Sequence, residues 1–158
     1  MPRLIQIDKN LYYFNCVLVT DEVDRDNEMF TVQAIEEMSQ MFIGKTGLID
    51  AYGITYRPRI FDTRVKKKHG VTKLKASAYI YLNAQEEVDN LRDFLSTHKE
   101  CTISCCCTNR ICTICGRNQH REHCRHIKGR AYGSKNCVYK LSGVTDVYEW
   151  SFAQEPDC

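Results

Sequence analysis

The sequence predicts an α+β domain: a mainly antiparallel, barrel-like β-sheet with two amphipathic helices and a cysteine-rich insert. Three observations carry this. Six or seven short segments are rich in β-branched and aromatic residues, two segments place apolar residues at helical spacing, and eight cysteines crowd into 101–137. With 158 residues, 43 % hydrophobic and 27 % charged, the chain can bury one real core and reads as a single domain over 1–158.

The first strand is expected over 11–20, where Leu11-Tyr12-Tyr13-Phe14 leads into Cys16-Val17-Leu18-Val19, ending at the acidic turn 21–26. Val32, Ile35, Met38, Met41 and Phe42 then fall at helical spacing, with Thr31 as N-cap and Gly44 as stop, so a helix is expected over 31–42. Short strands follow at 47–50 and 59–65. The run Lys66-Lys67-Lys68-His69-Gly70 reads as a solvated hairpin turn before a strand at 74–82. Asn83 is placed to cap a second helix whose apolar positions are Val88, Leu91, Phe94 and Leu95. Strands at 100–107, 137–141 and 146–152 complete the pattern.

Several classes are excluded or disfavoured. No apolar run reaches the roughly 18 residues of a membrane span. The start, Met1-Pro2-Arg3-Leu4-Ile5, has no hydrophobic core of a secretory signal, which points to a reducing cytosolic compartment and makes Cys158 an exposed free thiol. Net charge is only +2, yet 97–140 carries nine basic residues against Glu100 and Glu122, so that stretch could meet an anionic partner.

The strongest chemical signal is Cys112-Thr113-Ile114-Cys115-Gly116 followed by Cys124-Arg125-His126. Two cysteines three apart can close on one ion from a tight turn, and a second pair completes the tetrahedron of a structural zinc site. Cys112, Cys115, Cys124 and His126 are therefore the expected Zn2+ ligands, in an embedded loop over 108–137. His120, His123 and Cys137 compete for the fourth place. A catalytic zinc is disfavoured, because Glu122 is the only carboxylate in the loop. Cys105-Cys106-Cys107 alternate in a strand, so they read as small buried hydrophobes and not as ligands of one ion.

Taken in order, further segments carry a resemblance. These are Cys16-Val17-Leu18-Val19-Thr20 with Val23-Asp24-Arg25-Asp26, Phe30-Thr31, Phe42-Ile43-Gly44-Lys45-Thr46-Gly47-Leu48-Ile49-Asp50 and Pro58-Arg59-Ile60-Phe61-Asp62-Thr63. Lys99-Glu100-Cys101-Thr102-Ile103-Ser104-Cys105, the cysteine loop and Asp146-Val147-Tyr148-Glu149-Trp150-Ser151-Phe152 follow. The chain resembles the prohead (capsid-maturation) proteases of tailed phages, relatives of the herpesvirus assembly proteases, and most of all a subgroup from phages of Gram-positive bacteria with a CxxC insertion. The resemblance implies a serine endopeptidase acting on scaffold and capsid precursors through a Ser, His and acidic constellation. It also implies virion proteins as partners, and location in the host cytoplasm during assembly and then in the phage head.

Carried over residue by residue, the constellation is incomplete. Ala51 stands where the family has its general-base His, Thr102 where it has Ser, and Ser104 where Gly or Ser is usual; Glu149 keeps the acidic position. Strand alternation sets Thr102 and Ser104 on one face and puts Glu149 on the side opposite Tyr148, Trp150 and Phe152. A hydroxyl without a base is a poor nucleophile, and general-base assistance is worth about 10²–10⁴-fold. The expectation is a catalytically degenerate structural or binding component of head assembly, with homo-oligomerisation open. One competing reading is an active serine/threonine-type endopeptidase using Thr102 or Ser104 with His98 or His69. Another is a zinc-knuckle nucleic-acid binder acting through Arg110 to Arg130, weakened by having only Tyr132 and Tyr139 nearby for stacking.

Overall fold

The computed structural model describes residues 2–98 and 100–153; Lys99 and the expected thiol Cys158 lie outside them. The elements run β1 (Ile5–Gln6), β2 (Leu11–Thr20), β3 (Glu28–Phe30), α1 (Val32–Met41), β4 (Leu48–Ala51), β5 (Ile54–Tyr56), β6 (Arg59–Lys68) and β7 (Val71–Tyr81). Then come α2 (Gln85–Thr97), β8 (Thr102–Cys112), β9 (Ala131–Tyr132), β10 (Lys135–Asn136) and β11 (Tyr139–Ala153). The class is α+β with mostly antiparallel pairing, as expected.

One sheet has the order β1-β2-β7-β6. The other is built on β11, which pairs antiparallel with β8 along most of its length and parallel with β3 and β4 at its two ends. Since β8 already occupies one edge at both ends, β3 and β4 share the other, and α1 packs against β11 between them. The sheets are zipped at one corner, where Thr46 bridges Arg59 and Gly47 N–H donates to the Pro58 carbonyl at 2.7 Å. The expected barrel does not close. β2 and β8 approach each other but share no ladder among the described residues; Arg25, in the turn after β2, pairs with Glu100, just before β8.

Local chemistry explains most boundaries. Thr31 caps α1, its hydroxyl accepting from Ala34 N–H at 3.1 Å, and the helix buries Ala34, Ile35 and Met38. α2 begins one residue later than expected: Ala84 is the N-cap, with no side-chain bond, so Asn83 caps nothing. The lysines 66–68 belong to β6, and the turn is only His69-Gly70, with φ of 53° and 77°, the two positive values that a type I′ hairpin needs. The strands expected at 137–141 and 146–152 are one strand, and β8 runs on to Cys112, so the insert begins inside a ladder.

Two β-bulges in β11, between Val144 and Asp146 and between Val147 and Glu149, each add one residue opposite β8. Val144, Val147 and Trp150 therefore face inward at intervals of three. The second bulge also turns Tyr148 outward beside Glu149, against the expectation that it sides with Trp150 and Phe152. Trp150 is fully buried between Phe14 and Phe152, with ring centroids 6.2 and 6.4 Å away. The same core gathers Ile35, Met38, Phe42, Leu91 and Phe94 and includes no residue of the cysteine insert.

Candidate metal centre

β8 delivers Cys112, fully buried, at its last position opposite Tyr139. The chain then turns sharply: Gly116, at φ +75°, donates its N–H to the Cys112 carbonyl at 2.8 Å. This turn aims the backbone N–H groups of Cys115 and Ile114 at the Cys112 sulfur, that of Arg117 at the Cys115 sulfur, and, further on, that of His126 at the Cys124 sulfur. Burial alone would raise the Cys112 and Cys124 thiols, but these donors and the neighbouring thiols and imidazole hold both below the ordinary value. Such a nest of N–H donors suits thiolates.

The ligand atoms of Cys112, Cys115, Cys124 and His126 all lie within 4.8 Å of one another. His126 Nδ1 is buried and has no hydrogen-bond partner among the described residues, an unmet bonding demand that coordination to a metal would satisfy. Its ring meets Tyr132 edge-on, with centroids 4.7 Å apart, and the Tyr132 hydroxyl accepts from Ile127 N–H. The cluster thus has the composition and spacing to hold a metal ion, with the residues the CxxC spacing picked out. His120 and His123 are exposed and outside it. Cys137 is also outside the quartet, though buried with its sulfur 3.8 Å from that of Cys112, and its thiol is pushed up to about 11 by burial and by that neighbour. Glu122 pairs with Arg117 at 3.6 Å.

Gln119 is a participant that sequence reasoning missed. It is buried, its Nε2 donating to the Cys124 sulfur at 3.4 Å and its Oε1 accepting from Cys124 N–H at 3.2 Å. Nothing in the sequence marks it, since a lone amide in a polar loop reads as solvated. A second group, Asp24, Asp26 and Glu28, is a self-bonded turn: Asp24 accepts from the N–H groups of Asp26 and Glu28, and Glu28 is engaged by Arg110 and Lys128.

The residues carried over from the protease resemblance are placed differently. Thr102 faces Ser151 and Ser104 faces Glu149 across the β8–β11 ladder, and Thr102, Ser104 and Glu149 are all exposed. Ala51, by contrast, is buried on the core side of β4 with Ile49. Ser151 and Leu48 are register partners, so position 51 lies on the sheet face opposite the hydroxyls. His69 sits in the β6–β7 turn, while His98 stacks on Phe94 at 3.9 Å with its Nδ1–H donated to the Phe94 carbonyl. Of the three consecutive cysteines, Cys105 and Cys107 are half-buried toward the core, with sulfurs 3.9 Å apart, but Cys106 is exposed beside the Tyr148 hydroxyl, contrary to the expectation for all three.

No protein-family model, curated protein or solved structure matches the chain. Fold and site together define an α+β protein with two helices, mostly antiparallel sheets and a cluster of three cysteines and one histidine that could bind a metal ion.

Proposed function

We propose that the protein is a non-catalytic component of phage head assembly with a prohead-protease-like ancestry, its insert ordered by a structural Zn2+. Capsid or other virion proteins are its partners, and it works in the host cytoplasm during assembly and in the head. The setting rests on the sequence resemblance. Zinc rests on the donor set, three thiols and an imidazole, which suits that ion and leaves no open coordination position. Cys112, Cys115, Cys124 and His126 would hold it, and what it supplies is closure of the loop.

The observation that carries the loss of catalysis is the burial of Ala51 on the face opposite Thr102 and Ser104. Even a histidine at 51 would start from the wrong side of the sheet. Ser104 beside Glu149 favours residual hydrolase activity, but a carboxylate alone leaves the triad without its proton acceptor and donor pair. Nucleic-acid binding is less well supported, since Arg110, Lys128 and Arg117 are engaged by Glu28 and Glu122.

The test is to treat zinc-loaded protein and its Ala51→His variant with a fluorophosphonate probe and, separately, with capsid precursor, reading both by intact mass. Neither adduct nor cleavage is expected in either. An adduct on Thr102 or Ser104, or precursor cleavage abolished by Thr102→Ala, overturns the proposal in favour of an active endopeptidase.

A further inference from the structure

A fifth potential donor, Cys137, lies outside the quartet but against one of its members, Cys112. In a zinc tetrahedron with Zn–S of about 2.3 Å, two sulfurs stand about 3.8 Å apart, whereas disulfide-bonded sulfurs stand near 2.05 Å. The Cys112 and Cys137 sulfurs are separated by 3.8 Å, the edge length of two thiolates sharing one ion.

Cys137 is also held in place by backbone bonds. Its N–H donates to the Arg130 carbonyl at 2.9 Å and its carbonyl accepts from Gly129 N–H at 2.8 Å. The next residue is strapped to the knuckle, with Thr113 N–H donating to the Val138 carbonyl and Val138 N–H donating to Thr113 Oγ1, both at 3.0 Å. The thiol is fully buried against ligand Cys112, two residues before β11 begins.

Resting on the zinc reading above, we propose that Cys137 is a reserve ligand: the ion is held by Cys112, Cys115, Cys124 and His126, and Cys137 takes the fourth position when the imidazole is lost. The donor exchange would convert a centre of three thiolates and one imidazole into one of four thiolates. It makes the centre tolerant to damage at its one non-thiol ligand. The alternative, that Cys137 is only a buried hydrophobe, gives the opposite result in one experiment.

That experiment is Co2+ loading of the full chain, followed by visible absorption and by metal stoichiometry. It compares wild type, His126→Ala, Cys137→Ala and the double variant, with Trp150 fluorescence confirming an intact core in each. Wild type and Cys137→Ala should bind one equivalent with the same spectrum. His126→Ala should keep one equivalent, with sulfur-to-cobalt charge-transfer absorbance raised by about a third, the ratio of four thiolates to three. The double variant should lose the metal. Loss of metal in folded His126→Ala, or an unraised charge-transfer band, overturns the reserve role while leaving the zinc reading intact. A Cys137→Ala spectrum that loses sulfur intensity makes Cys137 a resident ligand and overturns it too. Absence of binding by folded wild type overturns the zinc reading itself.

Discussion

Stripping the metal should open the insert and leave the rest of the protein folded. Within 113–138, Cys137 and Val138 are the only buried apolar side chains, and Gln119 is the only buried polar one. Each residue fixed there costs about 1–2 kcal/mol of backbone entropy, while a buried Val returns only about 1.5–3 kcal/mol. A structural zinc contributes about 10–16 kcal/mol and is the largest favourable term available to the segment. The main core contains none of these residues, so its packing around Trp150 does not depend on them. By mass action, free metal at 100–1,000 times its Kd adds about 2.7–4.1 kcal/mol to the closed loop, or about 100–1,000-fold in amide protection. Hydrogen exchange read by mass spectrometry, with and without chelator under reducing conditions, should show that loss within 113–138, and unchanged protection in β2, β7 and α1. Equal protection of 113–138 in both states would refute the reasoning. A simultaneous loss across the core strands would refute the claim that the core stands alone.

The same geometry sets further outcomes. Gln119→Ala should weaken metal binding by about 10–100-fold, measured by competition with a chromophoric chelator, because it removes the amide that both donates to the Cys124 sulfur and fixes its backbone. In metal-loaded protein Cys106 should be alkylated at pH 8, by site-resolved mass spectrometry, while Cys16 and Cys101 stay unmodified. Burial raises both inner thiols, Cys101 to about 12, above the ordinary 9.0 that they regain on unfolding. Above pH 9 their neutral form is thus favoured only in the fold, and their contribution to stability is complete below that pH. It should fall by up to about 1.4 kcal/mol per pH unit per thiol from pH 9 toward 12, measured as the denaturation midpoint against pH. Gly47→Ala should lower the unfolding free energy by about 1–3 kcal/mol, read from the same denaturation curves, since a Cβ there would stand 2.3 Å from the enclosed Trp150 ring.

Local signals were legible where a single element decided them. Thr31 as a cap, Ile35 and Met38 as a buried stripe, and the long run of β2 each depend on neighbours close in sequence. Half of the metal quartet, Cys112 and Cys115, was legible for the same reason, because CxxC with a following Gly is a self-contained turn. What escaped depends on partners far along the chain. The inward set Val144, Val147 and Trp150 has a spacing of three, which neither helix nor flat strand predicts, and only the pairing with β8 reveals the bulges that cause it. Parity within β4 and β8 groups Ala51 with Ile49 and Thr102 with Ser104, but which group faces the core is decided by how the strands meet on β11. Gln119 belongs to the site because Cys124 folds back on it, not because of its type.

The placement of the insert gives the metal a role beyond its own loop. β6 and β7 are joined by two residues whose positive φ values set the register between them. β8 and β11 are the equivalent neighbours, yet 113–138 intervenes, too long a connection to fix a register by turn geometry. Cys112 ends one strand, Cys115 follows it, and the Thr113–Val138 strap ties the knuckle to the start of the other strand. Closing a metal over this junction holds Cys112 opposite Tyr139 at this end of the ladder. Past the two bulges, the ladder sets Ser104 against Glu149, and the core holds Trp150 under Gly47. A slip of one residue would turn Trp150 to solvent, so the core at one end and the metal at the other hold the register of the same pair of strands.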